Sequence, residues 1–197
     1  MKTTKSFFAL VAAVCISVVS AFAQDVTDNY SRIYASYGFQ SMKNQTDSDK
    51  GAQLGLLYGL NLTGNSAPLF FQLGAELNWV TYSEDELRET LVNVAVPLNL
   101  SYKIAFSDNV SLEPYAGLNL RLNVMGSLSA DGSDEKIDYF EDLDAKRFQL
   151  GLNVGASINI NNISLGYRFN PDLTDYFDID GTNSKTRYHF ISLGINF

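Results

Sequence analysis

The chain has 197 residues, of which 46% are apolar and 18% charged, and its 14 basic and 22 acidic residues give a net charge of −8. This length suits one domain or two small ones. The excess of acids leaves no surplus of cations to neutralise phosphates, which excludes a basic nucleic-acid binder. A single His and a single Cys exclude a metal site built on those residue types.

The first 23 residues have the pattern of a secretory signal peptide. Lys2 and Lys5 form a basic start, residues 7–19 are an apolar run, and Ala21 and Ala23 supply the small residues of a cleavage site. An uncleaved anchor is the alternative, but the run is short for a membrane span. Cleavage would leave one domain, residues 24–197, with no cysteine, 12 basic and 22 acidic residues, and a net charge of −10.

From residue 30 onward, apolar and polar residues alternate with a period of two, which predicts β-strands. In residues 148–160 one face is wholly apolar, and the other consists of small or polar side chains. No long segment has helical spacing. Eight strands are predicted, at residues 30–41, 51–62, 69–82, 91–104, 110–126, 148–160, 163–170 and 187–197.

Strand length and the composition of the polar face indicate a membrane barrel. A tilted strand of about eleven residues spans roughly 25 Å, the height of the apolar band of outer-membrane barrels. A soluble lipocalin-like barrel would alternate in the same way, but its water-facing surface would be rich in charges. Here the polar face is mostly Gly, Asn, Ser and Gln. The predicted fold is therefore all-β, an eight-stranded antiparallel up-and-down transmembrane β-barrel of the cell outer membrane.

The connections between the predicted strands alternate in length, and this alternation predicts the orientation of the barrel. The short connections are residues 63–68, 107–109 and 161–162, and the long ones are residues 42–50, 83–90, 127–146 and 171–186. In such barrels short turns face the periplasm and long loops face outside, so both termini are expected on the periplasmic side. The long loops together carry 17 acidic and six basic residues.

Side-chain parity predicts two turns and one irregularity. The turn Asn161-Asn162 has two residues, and asparagine tolerates positive φ. The turn at residues 107–109 is expected to be odd in length, with Asn109 in the left-handed region. Pro97 lies in mid-strand and predicts a bulge, because it cannot donate a ladder hydrogen bond.

A few charged residues fall on the predicted lumen face. The register places Lys103 opposite Glu113, and Arg168 opposite Gly155, where the missing side chain leaves room for a guanidinium. Charges in so narrow a lumen are expected to pair and fill it, although a proton relay or solute path would use the same residue types. The expected lumen charge network consists of Arg32, Glu76, Lys103, Glu113, Arg121 and Arg168.

The only histidine bears on whether the chain is an enzyme. His189 shares parity with Ile191 and is expected to point outward near the external rim, whereas Ser192 points inward. A barrel of the lipid A deacylase type would place His and Ser two residues apart on one face. His189 and Ser192 are three residues apart on opposite faces, which favours a histidine without a catalytic role. No catalytic residue, cofactor site or metal site is predicted.

The last two long loops contain 11 of the 17 acidic residues of the long connections. Asp178 and Asp180 resemble part of a calcium loop, but Tyr176 and Arg187 occupy ligand positions, so an EF-hand is excluded. The acids form either a solvated exterior or a surface that holds divalent cations bridging to lipopolysaccharide or a partner. The candidate contact residues are Asp131, Asp134, Glu135, Asp138, Asp175, Asp178 and Asp180.

Three segments resemble the PorT-like small outer-membrane β-barrel family of Bacteroidota. Residues 94–103 and 112–118 are similar to its Ile-Pro-Leu-rich strand and the Pro-Tyr-x-Gly strand that follows, and residues 165–174 to its penultimate strand and the loop after it. The resemblance implies an outer-membrane barrel; most members lack an assigned activity, and PorT itself is linked to protein secretion. The final strand, ending in Phe197, resembles the C-terminal signal that barrel-assembly machinery recognises.

The sequence therefore predicts a non-enzymatic outer-membrane barrel with a filled lumen and a structural or interaction role through its acidic loops. A narrow small-solute pore and an accessory factor of protein secretion or assembly are the alternatives. The expected partners are outer-membrane lipid and lipopolysaccharide, with barrel-assembly machinery during biogenesis and no nucleic acid. The chain is expected to be a monomer without a cofactor.

Overall fold

The computed structural model describes residues 28–42, 49–64, 67–84, 87–130, 136–143, 145–177 and 184–197, most of which are β-structure. The predicted signal peptide, residues 1–23, lies outside these ranges. Within them, no helix is long and apolar enough to cross a membrane. The strands are β1 Tyr30–Met42, β2 Asp49–Asn61, β3 Leu69–Glu84, β4 Leu87–Tyr102, β5 Ile104–Ser107, β6 Val110–Ala130, β7 Lys136–Asp138, β8 Phe148–Ile160, β9 Ile163–Pro171 and β10 Thr186–Asn196.

The strands form one closed antiparallel ring. Each strand of the ring is hydrogen-bonded to the next, with β4 paired to β6 and β6 paired to β8, and β10 pairs with β1 to close the sheet. β4 and β5 are two parts of one barrel strand, separated at Lys103, whose backbone N–H donates to the Pro68 carbonyl oxygen over 2.9 Å. β7 pairs only with the outer end of β6. The predicted eight-stranded up-and-down barrel is confirmed.

The inner face of the barrel is polar and the outer face is apolar. Along β8, Gln149 and Asn153 are fully buried in the lumen, whereas Phe148, Val154 and Ile158 are 57%, 46% and 45% exposed on the outer face. Side chains alternate across a strand, so the apolar set faces outward on every barrel strand. Such a continuous apolar surface is the lipid-facing band of a membrane barrel.

The connection between β3 and β4 is shorter than predicted. Residues 83–90 were expected to form a long loop, but the two strands stay paired up to Glu84 and Leu87. The strands therefore continue beyond the apolar band as a polar ribbon with Thr81 opposite Thr90. Cross-strand polar pairs keep such an extension stable in water, where the apolar alternation used for prediction fades.

The two turns whose lengths parity predicts differ in their agreement with prediction. Ile160 pairs with Ile163 across Asn161-Asn162, and Asn161 has a φ of 50°. The other turn is Asp108-Asn109, because Ser107 pairs with Val110, and the odd residue is absorbed by an irregularity between Ala105 and Ser107. Among the described non-glycine residues only Asn161 has positive φ, so the left-handed conformation predicted for Asn109 is wrong.

Pro97 does not produce the predicted bulge. The β4–β6 register is continuous at Pro97, which lies opposite Asn119, and shifts instead between Val92 and Asn93. On its other side, β4 loses its pairing with β3 near Gly74 but regains it in the same register. A Cβ on Gly74 would come within 3.1 Å of the proline ring. A glycine opposite the ring therefore accommodates the proline, and the extra residue of a bulge is not needed.

Gly38 in β1 and Gly51 in β2 are cross-strand partners that provide a matched test of packing in the wall. A Cβ on Gly38 would overlap the backbone carbonyl of His189, whereas one on Gly51 would first meet Phe190 at 3.3 Å. We expect Gly38→Ala to lower the free energy of unfolding by about 2 kcal/mol or more, and Gly51→Ala by less than about 1 kcal/mol. Urea titration in lipid vesicles, followed by the fluorescence of the single tryptophan, measures both. Equal urea midpoints for the two variants would contradict the close packing of the wall at Gly38.

Candidate functional site in the barrel lumen and outer mouth

The lower network of the lumen is centred on Glu113 of β6, which is fully buried. Arg32 of β1 donates from Nη2 to Glu113 Oε2 over 2.7 Å. Gln72 Nε2 and Ser101 Oγ each donate to Oε1 over 2.9 Å, and the Tyr30 hydroxyl donates to the same oxygen. Asn159 Nδ2 also donates to Oε2, over 3.3 Å. The carboxylate is thus held by a guanidinium and four neutral donors, which offsets the free-energy cost of burying its charge.

Lys103 lies beside the lower network, at the end of the lumen where β1 begins. The registers of β4 and β5 on β6 both place it opposite Glu113, as predicted. Its Nζ lies 3.7 Å from the centre of the Tyr30 ring and 4.6 Å from that of Phe70. An ammonium over aromatic faces is stabilised by the ring quadrupoles. Lys103 therefore closes the lower mouth by packing against rings.

The middle network is centred on Glu76 of β3. Its carboxylate accepts hydrogen bonds from Arg168 of β9, from the Tyr34 hydroxyl and, over 3.0 Å, from Gln53 Nε2. Arg168 lies opposite Gly155, as predicted. A Cβ on Gly155 would lie 2.5 Å from the Tyr115 hydroxyl oxygen, so this glycine leaves room for the phenol.

The upper network contains a residue that the sequence analysis missed. Arg121 Nη1 donates to both carboxylate oxygens of Asp172 over 3.0 Å, and the Thr186 hydroxyl also donates to Asp172. The Arg121 guanidinium stands 4.0 Å from the centre of the Tyr188 ring. The sequence places Asp172 in the long connection of residues 171–186. Parity could have found it, since it continues the inward-facing even positions of β9.

Four aromatic rings from the outer connections form an aromatic cap over the barrel mouth. The Tyr139 ring lies 6.5 Å from that of Tyr176 and 6.3 Å from that of Phe177, both edge to face, and Phe140 packs on Tyr176. Tyr139 and Tyr176 are 7% and 3% exposed. Burial raises the pKa of the Tyr139 phenol, and the neighbouring Glu89 carboxylate raises that pKa further. The phenol therefore stays neutral at physiological pH and can remain buried.

The space left between the lower and middle networks is very small. A cavity of about 30 Å³ is lined by residues that include Arg32, Tyr34, Tyr115 and Arg168. This volume suits about one water molecule. The described side chains therefore occupy nearly all of the lumen at this height.

Of the acidic loop residues singled out in the sequence, only Asp138 and Asp175 lie within the described residues; Asp131, Asp134, Glu135, Asp178 and Asp180 lie outside them. Asp138 Oδ1 accepts the backbone N–H groups of Phe140 and Glu141 over 2.8 and 3.2 Å. Asp175 Oδ1 accepts the N–H of Ser184 over 3.2 Å. Both carboxylates therefore support their own loops. In the described part of the chain, no group of three or more His, Cys, Asp or Glu side chains is placed to hold a metal ion.

His189 lies on the outer face near the rim where β1 ends and β10 begins. Its Nδ1 shares a 2.7 Å hydrogen bond with the Tyr167 hydroxyl, and its ring stacks on Phe39 at 4.8 Å and contacts Phe169 at 4.7 Å. Ser192 is three residues further along the strand, opposite the buried Ser36, and faces the lumen. The two side chains thus lie on opposite faces of the wall.

Removal of one partner from the middle network tests how strongly the lumen depends on paired charges. We expect Glu76→Gln to lower the free energy of unfolding by about 3 kcal/mol, because Arg168 would remain buried without a carboxylate. The double variant Glu76→Gln/Arg168→Met, which removes both charges, should recover at least half of that loss. Urea titration in lipid vesicles measures each midpoint.

The exposed loop carboxylate of Glu141 provides the control for this experiment. Glu141→Gln makes the same chemical change outside the lumen and should shift the midpoint very little. If Glu76→Gln lowers the free energy of unfolding no more than Glu141→Gln does, the stability of the barrel does not depend on the buried ion pair.

Comparison with solved structures supports the barrel fold. The outer membrane enzyme PagL shares 13% identity with a TM-score of 0.57, covering 83% of this chain and 98% of PagL. Neisserial surface protein A shares 19% with a TM-score of 0.51, over 86% and 97%. A major outer membrane protein from Thermus thermophilus shares 17% with a TM-score of 0.51, over 86% and 100%. At these identities the likeness concerns the fold alone.

No curated protein matches the sequence. The model of the family described as outer membrane protein beta-barrel domain matches residues 7–197, nearly the whole chain. A closed eight-stranded ring with an apolar outer face and a polar interior is the architecture expected of such a domain. The chain therefore belongs to the outer membrane protein beta-barrel domain family and is a protein of the cell outer membrane.

Proposed function

We propose that this protein is a non-enzymatic outer-membrane barrel with a closed lumen, which serves a structural or interaction role through its outer loops. The observation that carries the proposal is the set of three ion pairs across the lumen, Arg32–Glu113, Arg168–Glu76 and Arg121–Asp172. The carboxylate side chain of each pair is at most 1% exposed. Charges that satisfy one another in this way fill the interior of a small barrel.

The same geometry argues against a solute path. Lower, middle and upper networks follow one another along the lumen, and the aromatic cap lies above them. A hydrated solute would have to displace several charge-assisted hydrogen bonds in succession, each of which is costly to leave unmade. The cavity of about 30 Å³ between the lower two networks offers too little room for such passage.

The outer face offers little support for catalysis. PagL is named an enzyme, but its likeness to this chain is one of fold, and function resides in sites rather than folds. His189 is packed between aromatic rings and bonded to Tyr167, and Ser192 lies on the other side of the wall. A nucleophile and its base must be within hydrogen-bond reach of one another, which these two are not.

We further propose that the acidic outer loops contact partners, and that divalent cations bridge them to lipopolysaccharide. The four long connections predicted from the sequence carry 17 acidic and six basic residues. Asp138 and Asp175 order their loops by accepting backbone hydrogen bonds, which gives a partner a preformed surface. Such a surface suits a monomer that acts through contacts outside the membrane.

Membership of the PorT-like subfamily is part of this proposal, on the strength of residues 94–103, 112–118 and 165–174. It favours an accessory role in protein secretion or assembly as the second candidate function. During biogenesis, barrel-assembly machinery would be the partner that recognises the final strand ending in Phe197. Secretion that stays normal after deletion of the gene would remove the accessory role and leave the structural one.

Conductance measurements test the closed lumen. We expect the purified protein to be silent in planar lipid bilayers, because the paired charges occupy the lumen. Discrete single-channel steps that change with Arg121→Ala or Glu76→Gln would contradict the closed lumen and support a small-solute pore. Steps must be compared with a Glu141→Gln sample, because that loop change should alter no current through the lumen.

Calcium dependence tests the bridging role of the loops. We expect millimolar calcium to raise the thermal stability of the protein in vesicles that contain lipopolysaccharide, because the cation would link loop carboxylates to lipid phosphates. Chelation should reverse the increase, and vesicles of phosphatidylcholine alone should give none. Identical melting temperatures with calcium and with chelator in both kinds of vesicle would contradict cation bridging.

A further inference from the structure

The outer face of the barrel carries a groove near its external rim. Its volume of about 390 Å³ falls in the range of roughly 300–1,000 Å³ that is usual for small-molecule sites. It spans four adjacent strands, β2, β1, β10 and β9. The lining residues are Tyr37, Gly38, Phe39, Lys50, Tyr167, His189 and Ile191.

Two rows of cross-strand neighbours build the groove. In the upper row Phe39 lies opposite Lys50 on one side and His189 on the other. In the lower row Ile191 lies between Tyr37 and Tyr167, and Tyr37 and Ile191 are each 63% exposed. Adjacent outward residues in a sheet lie close enough to form one continuous surface, which here is aromatic and aliphatic.

The aromatic part of the groove is held in place by direct contacts. His189 stacks on Phe39 and shares its Nδ1 with the Tyr167 hydroxyl over 2.7 Å. This bond joins the two rows and leaves the other imidazole nitrogen for a further hydrogen bond. The groove therefore combines a rigid apolar surface with a polar group at its upper edge.

Two cations stand at the upper edge of the groove. Lys50 is exposed opposite Phe39, and Arg187 is exposed one row higher, opposite Ser41. Their Cα atoms are roughly 12 Å apart, from a strand spacing of about 4.8 Å and a rise of about 3.4 Å per residue. Both side chains are long enough to reach one group between them. In the described ranges neither forms an ion pair, although the nearby loops are strongly acidic.

The height of the groove matches the boundary between lipid tails and headgroups. Phe39 and His189 lie within three residues of the outer ends of β1 and β10. Aromatic residues with polar tips occupy this level in membrane proteins, and basic residues just above it attract lipid phosphates. The outer ends face the external side, so the groove lies in the outer leaflet.

We infer that this groove binds a phosphorylated acyl lipid of the outer leaflet, with its phosphate between Lys50 and Arg187. One acyl chain would lie along Tyr37, Phe39 and Ile191. Charge complementarity favours this occupant, because two cations above an apolar surface match a lipid with an anionic head. The inference concerns the outer face and does not require a closed lumen.

Native mass spectrometry of the purified full chain tests the site with lipid A as the probe. We expect Lys50→Ala/Arg187→Ala to weaken lipid A binding at least about tenfold, because two charge-assisted hydrogen bonds are lost. Binding of lipid A stripped of both phosphates should be equally weak in wild type and in this variant. Tyr37→Ala should weaken the binding of both lipids, since it removes part of the apolar surface.

Arg88→Ala is the matched control, because Arg88 is an exposed cation near the outer end of β4, away from the groove. It should bind lipid A as wild type does. Heat-modifiable gel migration verifies that each variant is folded. If the double variant does not fold, Lys50→Gln is used in its place. Unchanged lipid A binding in the Lys50 and Arg187 variants would overturn the inference. Displacement of lipid A by inorganic phosphate with no effect of Tyr37→Ala would also overturn it, since the site would then bind only the anion.

Discussion

Closing eight strands into a ring removes every unpaired sheet edge, but it leaves an interior barely wide enough for side chains. Any charge that points inward must therefore be satisfied by other side chains in the lumen. Glu113 and Glu76 each achieve this with one arginine, one tyrosine hydroxyl and at least one amide. The free energy of burying these ions is offset only while every partner stays in place, so the lumen behaves as one linked set of contacts.

The wall is adapted to this interior through glycine. Gly55, Gly59 and Gly155 lie where large lumen side chains press against the wall, and a Cβ at any of them would overlap a tyrosine ring or come within 2.5 Å of its hydroxyl. These phenols are the ones that reach the buried carboxylates or lie beside them. Glycine weakens a strand on its own. Here the loss is offset by the hydrogen bonds that the admitted rings make with Glu76 and Glu113.

Much of this architecture could be predicted from the sequence, because the period of two applies wherever one face meets lipid and the other meets the lumen. Parity alone places Lys103 opposite Glu113 and Arg168 opposite Gly155, and the structure confirms both positions. Prediction from parity failed for the parts of the strands that extend beyond the lipid. The polar ribbon of β3 and β4 and the inward position of Asp172 lie beyond the apolar band, where alternation no longer distinguishes the faces. The aromatic cap was missed because rings from separate loops meet only in three dimensions.

The ion pairs of the lumen also bear on how such a barrel is assembled. Arg32 and Glu113 are 81 residues apart in the chain, and Glu76 and Arg168 are 92 apart. Each pair joins strands from different parts of the ring, so neither can form from a single hairpin. An incomplete sheet would expose these charges unpaired, and hydrocarbon would penalise them heavily. We therefore expect the inner face to stay hydrated until the strands that carry each pair have met, and we expect closure of the ring between β1 and β10 to expel this water.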